Sequence, residues 1–300
     1  AEGAERRLGQ RPHTVPGVPN PHVLGADQIA REEELEDLAL AIRQRPELEG
    51  PTGKQRVRVC GGLALIDHDL ARAAAKGSGY EGSLNLTTQE AVDIGSAIGC
   101  DFYLVGDVQT LRRSPGKEAD YFESYATIFI VSARTGRLVF WDRQTQTAPK
   151  ATAAETLLLV EITRILPRYL TVLRDAAETE RAARFAAVGH DLPVIEETPA
   201  DDSPSADGFR APAPYRRVSP VYTAAANAAE VIATVDAQVD LDIDGEVQDV
   251  QIARWAGFGL DESVITAIRQ MHFRPATRNR VPFPIRVLLR YNFRKPKPVQ

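Results

Sequence analysis

The chain has 300 residues, of which 43% are hydrophobic and 26% are charged, and its formal net charge is −5. This length exceeds one ordinary hydrophobic core and suits two domains. The mild negative charge gives no general attraction to nucleic acid or to an anionic membrane surface. No segment approaches the roughly 18 uninterrupted apolar residues that a membrane helix needs, so we expect no transmembrane segment in this chain.

The N-terminal region divides into an extended arm and a helix. Residues 1–26 contain several prolines and little periodicity, which is typical of an extended arm. The next segment places Leu35, Leu38 and Ile42 on one helical stripe and predicts a helix that ends at Pro46. The start at alanine rather than methionine is what removal of a signal peptide leaves, although an engineered fragment begins the same way.

A strand and two helices are predicted next. Gln55–Cys60 alternates between polar and apolar residues, which favours a strand, and Leu63–Lys76 has the apolar spacing of a helix. Thr87 and Glu90 have the spacing of a capping box, which predicts that a second helix begins there. Gly99 is typical of the end of such a helix.

The following segments predict a hairpin that continues into a long helix. Asp101–Leu111 is predicted to be a strand. The arms of the hairpin are Ser124–Ala133 and Arg137–Thr145, separated by a short turn that contains glycine. The helix runs from Ala153 to about Ala187.

The last fifth of the chain predicts a β–β–α–β unit. Val231–Ile243 and Glu246–Trp255 are strand patterns around an Asp-Gly turn, which favours a hairpin. Asp261–Met271 predicts a helix, and Pro282–Phe293 predicts the final strand. This unit contains no recognisable motif of catalytic residues.

The fold class expected from these elements is α+β. We assign residues 27–187 to an α/β sandwich-like domain and residues 188–216 to a linker rich in proline and acidic residues. Residues 217–296 form the small C-terminal domain, and residues 297–300 form a tail.

The motifs that suggest chemistry have simpler explanations. Asp240, Asp242 and Asp244 match the start of a calcium loop, but its twelfth position is Gln251 instead of a glutamate. The alternation favours a half-buried strand that enters a turn. The histidines and cysteines lack zinc spacing, and no nucleophile motif occurs, so we predict no enzyme activity, no cofactor and no metal site.

The two cysteines, Cys60 and Cys100, neither require nor exclude an oxidising compartment. Cys60 closes one predicted strand, and Cys100 precedes another. If these strands are parallel neighbours, the two residues lie at opposite ends of the sheet, too far apart for a disulfide. We therefore expect two separate buried thiols, although their oxidation state stays open.

The C-terminal unit resembles the C-terminal domain of the TonB family of periplasmic proteins. The segments that carry the resemblance are Pro214-Tyr215, the Asp244-Gly245 turn with Val247 and Val250, Leu260-Asp261, Phe273-Arg274-Pro275-Ala276 and Ile285–Phe293. TonB itself has an N-terminal membrane helix that this chain lacks. Either that helix was removed, or the chain is a secreted relative that does not transduce energy, and the large first domain favours the second interpretation.

The first domain is similar to the periplasmic α/β domains of the CsgG and LpoB type, which are related to the N-terminal part of TolB. The resemblance is carried by Thr88–Gly99, by the strand that follows Cys100, and by the hairpin that ends at Trp141. It implies an envelope scaffold or protein-binding module rather than an enzyme.

Together these features predict a periplasmic or outer-membrane-associated protein, secreted through a removed signal peptide, that binds other envelope proteins as a structural subunit or scaffold. The alternative is a transport-linked adaptor that contacts TonB-dependent outer-membrane receptors by strand addition. By resemblance, the last strand is the partner-binding element. We predict that Arg286, Leu288 and Arg290 face a partner on one side of this strand. The residues expected to lie in the core are Ile285, Val287, Leu289 and Tyr291.

Overall fold

The computed structural model describes residues 41–43, 58–60, 63–116, 119–187, 195–199 and 207–295. All of these residues belong to one compact unit that spans residues 37–300. Both helices and strands contribute to it, so the fold is α+β, as expected. The predicted arm, residues 1–26, lies outside the described residues.

A six-stranded sheet forms the first half of this unit. Its strands are β1 (Ala41–Arg43), β2 (Arg58–Cys60), β3 (Leu63–Ile66), β4 (Phe102–Arg113), β5 (Tyr121–Ser132) and β6 (Leu138–Ala148). They lie in the order β2-β3-β1-β4-β5-β6, and every neighbouring pair is antiparallel. The long strands β4, β5 and β6 form a meander, which includes the predicted hairpin.

The helix predicted across Leu63–Lys76 is wrong for its first four residues. These residues form β3, whose backbone pairs with both β1 and β2. The helix α1 is His68–Gly77, and it begins there because the carboxylate of Asp67 accepts a hydrogen bond from the backbone N–H of Leu70 at 3.3 Å. The helix predicted through Leu35, Leu38 and Ile42 is also wrong at its described residues. These residues, Ala41–Arg43, form β1, which pairs with β3 and β4.

The expected arrangement of the two cysteines rests on a wrong premise. The strands β2 and β4 are not parallel neighbours, since β3 and β1 lie between them in an antiparallel sheet. Cys100 is half-buried, whereas the side chain of Cys60 lies outside the described part of the structure. The separation of the two thiols therefore stays a prediction.

Helices cover both faces of the sheet. The 37-residue helix α3, Ala151–Ala187, buries Leu158, Tyr169 and Leu173 against one face. Helix α2, Thr88–Ile98, begins with the predicted capping box and belongs to the core on the opposite face. Within the described residues, none of the helices combines the length and the apolar character that a bilayer span requires.

A second sheet forms the C-terminal half. The remaining elements are β7 (Glu196–Glu197), β8 (Phe209–Arg210), β9 (Ala213–Arg216), α4 (Ala224–Ala228), β10 (Ala233–Leu241), β11 (Val247–Arg254), α5 (Leu260–Ile268), β12 (His272–Arg274), β13 (Thr277–Arg278), β14 (Val281–Pro282) and β15 (Ile285–Phe293). The main sheet has the order β11-β10-β15-β7. The short strands of the same half form two further small sheets, β12-β9 and β14-β13-β8.

The segment expected to be a linker contributes to this half where it is described. Strand β7 pairs with β15, β8 pairs with β13, and β9 pairs with β12. Backbone pairing with strands far along the chain overrides the local proline-rich pattern. These described parts of residues 188–216 are therefore strands rather than free linker, and the domain limits themselves stay a prediction.

The two halves share one continuous core. The ring of Phe129, on β5, lies 5.5 Å from the ring of Trp255 and 5.9 Å from that of Phe258. Gly257 makes this approach possible, because a Cβ atom there would lie 2.5 Å from a ring carbon of Phe129. Its φ of +71° is also a conformation that glycine adopts without strain. The two halves thus pack against each other through a shared core.

Asn85 connects the halves at the backbone level. Its side-chain amide accepts a hydrogen bond from the backbone N–H of Thr234 at 3.0 Å and donates to the Thr234 carbonyl at 2.8 Å. It also donates to the carbonyl of Trp255 at 2.6 Å. The side chain therefore takes the place of a strand residue beside β10, beyond the end of β11.

Candidate protein-binding site

Strand β15 is the element that the sequence singled out, and its core side is as predicted. It pairs with β10 along its whole length, from Ile285 opposite Leu241 to Phe293 opposite Ala233. Ile285 and Val287 are buried. Leu289 and Tyr291, also predicted for the core, are half-buried and pack against it. The core assignment on this strand is confirmed.

Among the described residues, the other edge of β15 is paired only at its start. The backbone N–H of Thr198, just after β7, donates to the carbonyl of Arg286 at 3.1 Å. The backbone groups of Arg286 therefore point away from β10, and the two-residue repeat of a strand gives the same direction to Leu288, Arg290 and Asn292. Among the described strands, only β7 pairs on this side, and its pairing stops at Arg286.

Two ion pairs lie across the exposed face of the sheet. The guanidinium of Arg290 donates to both carboxylate oxygens of Asp236, at 2.7 and 3.0 Å. Arg286 binds Asp240 in the same two-point manner, at 2.6 and 2.8 Å. Both aspartates are buried. Such paired hydrogen bonds are the strongest form of contact between arginine and a carboxylate.

These contacts change the protonation equilibria of the pairs. The hydrogen bonds from Arg290 hold the pKa of Asp236 below its ordinary value, against the effect of burial, and the nearby Arg254 acts in the same direction. The pKa of Arg286 is raised chiefly by its hydrogen bonds to Asp240. Both arginines are therefore engaged as charged partners within the sheet.

Leu288 lies between the two ion pairs. It is opposite Gln238 in the register of β10 and β15, and it is 55% exposed. An exposed leucine flanked by neutralised charges gives this face an apolar centre. The contact that it offers is a hydrophobic one, whereas the sequence alone suggests a basic face.

The three residues predicted to face a partner, Arg286, Leu288 and Arg290, do lie together on one face. Sequence reasoning missed the aspartates that neutralise both arginines. The signal was present, because Asp236 and Asp240 are four residues apart on β10, as are the two arginines on β15. Whether these residues contact a partner stays a prediction.

The aspartate-rich turn is a structural turn. Asp242 accepts hydrogen bonds from the backbone N–H of Asp244 at 2.9 Å and from that of Glu246 at 2.8 Å. Asp240 is bound to Arg286. The interpretation as a strand that enters a turn is confirmed, and the carboxylates of Asp240 and Asp242 make contacts within the protein.

A cavity of about 530 Å³ lies between β6 and α5. Its lining includes Trp141, Trp255 and Asp261. The Asp261 carboxylate accepts hydrogen bonds from the backbone N–H groups of residues 256 and 257, at 2.9 and 2.8 Å. Burial raises the pKa of Asp261 to about 6. This carboxylate fixes the loop that follows Trp255 to the first turn of α5.

The comparison with protein-family models agrees with the C-terminal assignment. Residues 218–294 match the family model described as Gram-negative bacterial TonB protein C-terminal. The chain is also similar to a solution NMR structure of the Pseudomonas aeruginosa TonB CTD, with 20% identity over 29% of this chain and 86% of that chain and a TM-score of 0.24. None of the curated proteins matches the chain. The similarity of the first domain to CsgG and LpoB stays a prediction, whereas the match of residues 218–294 to the TonB C-terminal family model agrees with the resemblance of the C-terminal unit.

Proposed function

We propose that this protein is a non-enzymatic protein of the cell envelope that binds other proteins as a structural subunit or scaffold of a larger assembly. Its TonB-like domain supports this proposal, because TonB-family C-terminal domains are periplasmic and interact with other envelope proteins. The observation that supports the protein-binding role is the edge of β15 beyond Arg286, with which none of the described strands pairs.

The scaffold role is favoured by the way in which the TonB-like domain is held. Its loop at Trp255 packs on Phe129, and its strand β10 is bound by the side chain of Asn85. The backbone N–H of Trp255 also donates to the carbonyl of Leu86 at 3.2 Å. Contacts of this kind fix the direction in which the β15 edge points, and a fixed geometry suits a subunit of an assembly.

The alternative role is that of an adaptor that contacts TonB-dependent outer-membrane receptors. It is supported by the backbone groups of Leu288, Arg290 and Asn292, which face away from β10 and pair with none of the described strands. Unpaired N–H and C=O groups at a sheet edge bind an extended peptide as an added strand. Both roles use the same edge and differ in the partner and in the lifetime of the complex.

A proline substitution at Leu288 tests the use of this edge. Proline has no backbone N–H, and the N–H of Leu288 points away from β10, so Leu288→Pro removes one donor of this edge without removing a hydrogen bond between the described strands. Leu288→Ala is the matched control, because it removes the same side chain and keeps the N–H. The full chain with each substitution is used to capture proteins from solubilised envelopes.

We expect the wild-type chain and Leu288→Ala to retain one or more partners that Leu288→Pro loses, with unchanged circular dichroism. A complex that keeps a constant subunit ratio through purification supports the scaffold, and reversible capture of an outer-membrane receptor supports the adaptor. Equal capture by Leu288→Pro and Leu288→Ala would show that the edge is not the principal contact.

A further inference from the structure

The cavity of about 530 Å³ is formed by both halves of the chain. Strand β6 contributes Leu138–Trp141, and the C-terminal half contributes Ile252, Trp255 and residues of α5. None of the described residues of β15 lines it. Ligand pockets in proteins usually measure about 300–1,000 Å³ and are mostly apolar. The size and composition of this cavity therefore fit a small organic molecule with an apolar body.

Strand β6 provides an uncharged wall of the cavity. Leu138 and Trp141 pack against the core that the two halves share, whereas Val139 and Phe140 pack against the core beneath α3. All four side chains are half-buried, and all four line the cavity. Side chains from both faces of β6 thus reach it, which places the cavity at the outer edge of the last strand of the six-stranded sheet. This wall offers aliphatic and aromatic surface to a ligand.

Two carboxylates mark the opposite wall. Asp261 is buried and Glu262 is exposed, and both belong to the first turn of α5. None of the ion pairs among the described residues involves either of them. This is unusual for Asp261, because buried carboxylates are as a rule paired with a cation. Each of its oxygens accepts one backbone hydrogen bond, and a carboxylate has about four acceptor positions, so further donors can bind.

The electrostatics around Asp261 favour a cation. Burial raises the pKa of Asp261 to about 6, the backbone N–H groups of Ala256 and Gly257 lower it in part, and the charge of Glu262 raises it further. The cationic residue of the described lining is Arg137, which is exposed, so solvent and salt screen its charge. A cation placed beside Asp261 and Glu262 would lower the cost of their negative charges.

We propose that this cavity is a binding site for a small organic cation of the arylalkylamine class. The ammonium group of the ligand donates hydrogen bonds to Asp261 and Glu262. Its apolar body lies among Trp141, Trp255 and Ile265. An ammonium group carries three N–H donors, and tryptophan rings attract cations to their faces. Both halves of the chain build the site, so the ligand also adds contacts that hold them together.

The test uses the full chain and its own tryptophan fluorescence. The chain contains two tryptophans, Trp141 and Trp255, and both line the cavity, so their emission reports on this site. The probes are phenylbutylamine, phenylbutanol and phenylbutyrate, which share one apolar body and are cationic, neutral and anionic. Each probe is titrated into the protein, and isothermal calorimetry checks the affinities.

We expect the amine to bind roughly tenfold more tightly than the alcohol, because hydrogen bonds between charged groups are stronger than neutral ones. The carboxylate probe should bind more weakly than the alcohol. Asp261→Asn and Glu262→Gln should each remove most of the preference for the amine and leave the affinity for the alcohol nearly unchanged. Glu81→Gln, at an exposed position outside the described lining, is the control. Circular dichroism and urea unfolding establish that each variant is folded.

The pH dependence separates binding at Asp261 from a purely structural role. As the pH falls from about 7 to about 5, protonation of Asp261 should weaken the binding of the amine but not that of the alcohol, and Asp261→Asn should show a smaller decrease. A structural role would change the affinities for both probes alike. Equal affinities for the amine and the alcohol, a preference for the amine that persists in both variants, or no binding of any probe would overturn the inference.

Discussion

The indole Nε1–H of Trp255 donates a hydrogen bond to the backbone carbonyl of Gly136 at 3.1 Å, and both groups are buried. The two residues are 119 positions apart, one in the TonB-like domain and the other in the β5–β6 turn. This bond, together with the ring contact between Trp255 and Phe129, makes the two halves of the described structure one body.

Substitution of Trp255 should destabilise both halves together. Trp255→Ala removes a large buried ring and should lower the free energy of unfolding by about 3–5 kcal/mol. Trp255→Phe keeps most of the ring but leaves the Gly136 carbonyl without its donor, which should cost about 1–3 kcal/mol. Urea unfolding followed by fluorescence and by circular dichroism measures both effects.

The exposed Ile232 provides the control, since Ile232→Ala should change the free energy of unfolding by less than about 0.5 kcal/mol. The two probes should report one shared transition in the wild type. Two separate transitions, with Trp255→Ala affecting only one of them, would contradict a common core.

Gly257 should tolerate no side chain. A Cβ atom there would lie 2.5 Å from the Phe129 ring, and the φ of +71° is strained for alanine. Gly257→Ala should therefore cost about 1–3 kcal/mol, as overpacked core sites do. Phe129→Leu creates room beside the new methyl group, so the double variant should be more stable than the sum of the two single effects predicts.

Thermal or urea unfolding of the four proteins of this cycle measures the coupling. Gly116→Ala is the backbone control, because Gly116 also has a positive φ, +79°, but has nothing within 4 Å of its Cβ position. If the changes in the free energy of unfolding caused by Gly257→Ala and Phe129→Leu add exactly in the double variant, the destabilisation at Gly257 comes from backbone strain and not from the Phe129 ring.

Asp261 should make stability depend on pH between about 4 and 6. Its pKa is about 6 in the folded protein instead of 3.8, because burial disfavours the charged form. With a raised folded pKa, the stabilising contribution is complete below the unfolded pKa and is lost as the pH rises through the folded pKa. At about 1.4 kcal/mol for each pKa unit, the loss from pH 4 to pH 7 is about 3 kcal/mol.

Asp261→Asn removes this titration while keeping one acceptor for the backbone N–H groups of residues 256 and 257. The free energy of unfolding of the wild type minus that of Asp261→Asn should therefore decrease from pH 4 to pH 7, because only the wild type loses this contribution. Asp236 and Glu90, whose pKa values are lowered, act in the opposite direction, but they are the same in both proteins. A difference that is constant with pH would refute the proposed ionisation of Asp261.

The sequence pattern correctly predicted those elements that are determined by residues close together in the chain. The capping box at Thr87 and Glu90, the hairpin around Gly136 and the alternation of β15 all depend on neighbours within a few residues, and all are present. Strands β1 and β3 were predicted as helix because their pairing is with residues far along the chain, and periodicity does not report such pairing.

The sequence correctly predicted which residues share one face of β15, but it did not predict the charge of that face. The alternation of β15 places Arg286, Leu288 and Arg290 on one face, which suggests a basic surface. The charge of that face depends on Asp236 and Asp240, whose four-residue spacing matches that of the arginines and whose partners are assigned by the register of β10 and β15. Its exposed centre is Leu288, and its edge carries backbone groups that pair with none of the described strands.

Amide hydrogen exchange at single residues of β15 tests the central claim most directly. In the free protein, the N–H groups of Val287, Leu289 and Tyr291 should exchange slowly because they point towards β10, whereas those of Leu288, Arg290 and Asn292 should exchange fast.

The same amides are then measured in the complex with a captured envelope partner. The account predicts that Leu288, Arg290 and Asn292 become protected while the residues between them change little. Exchange at these three amides that stays fast in the complex would contradict a strand added at this edge.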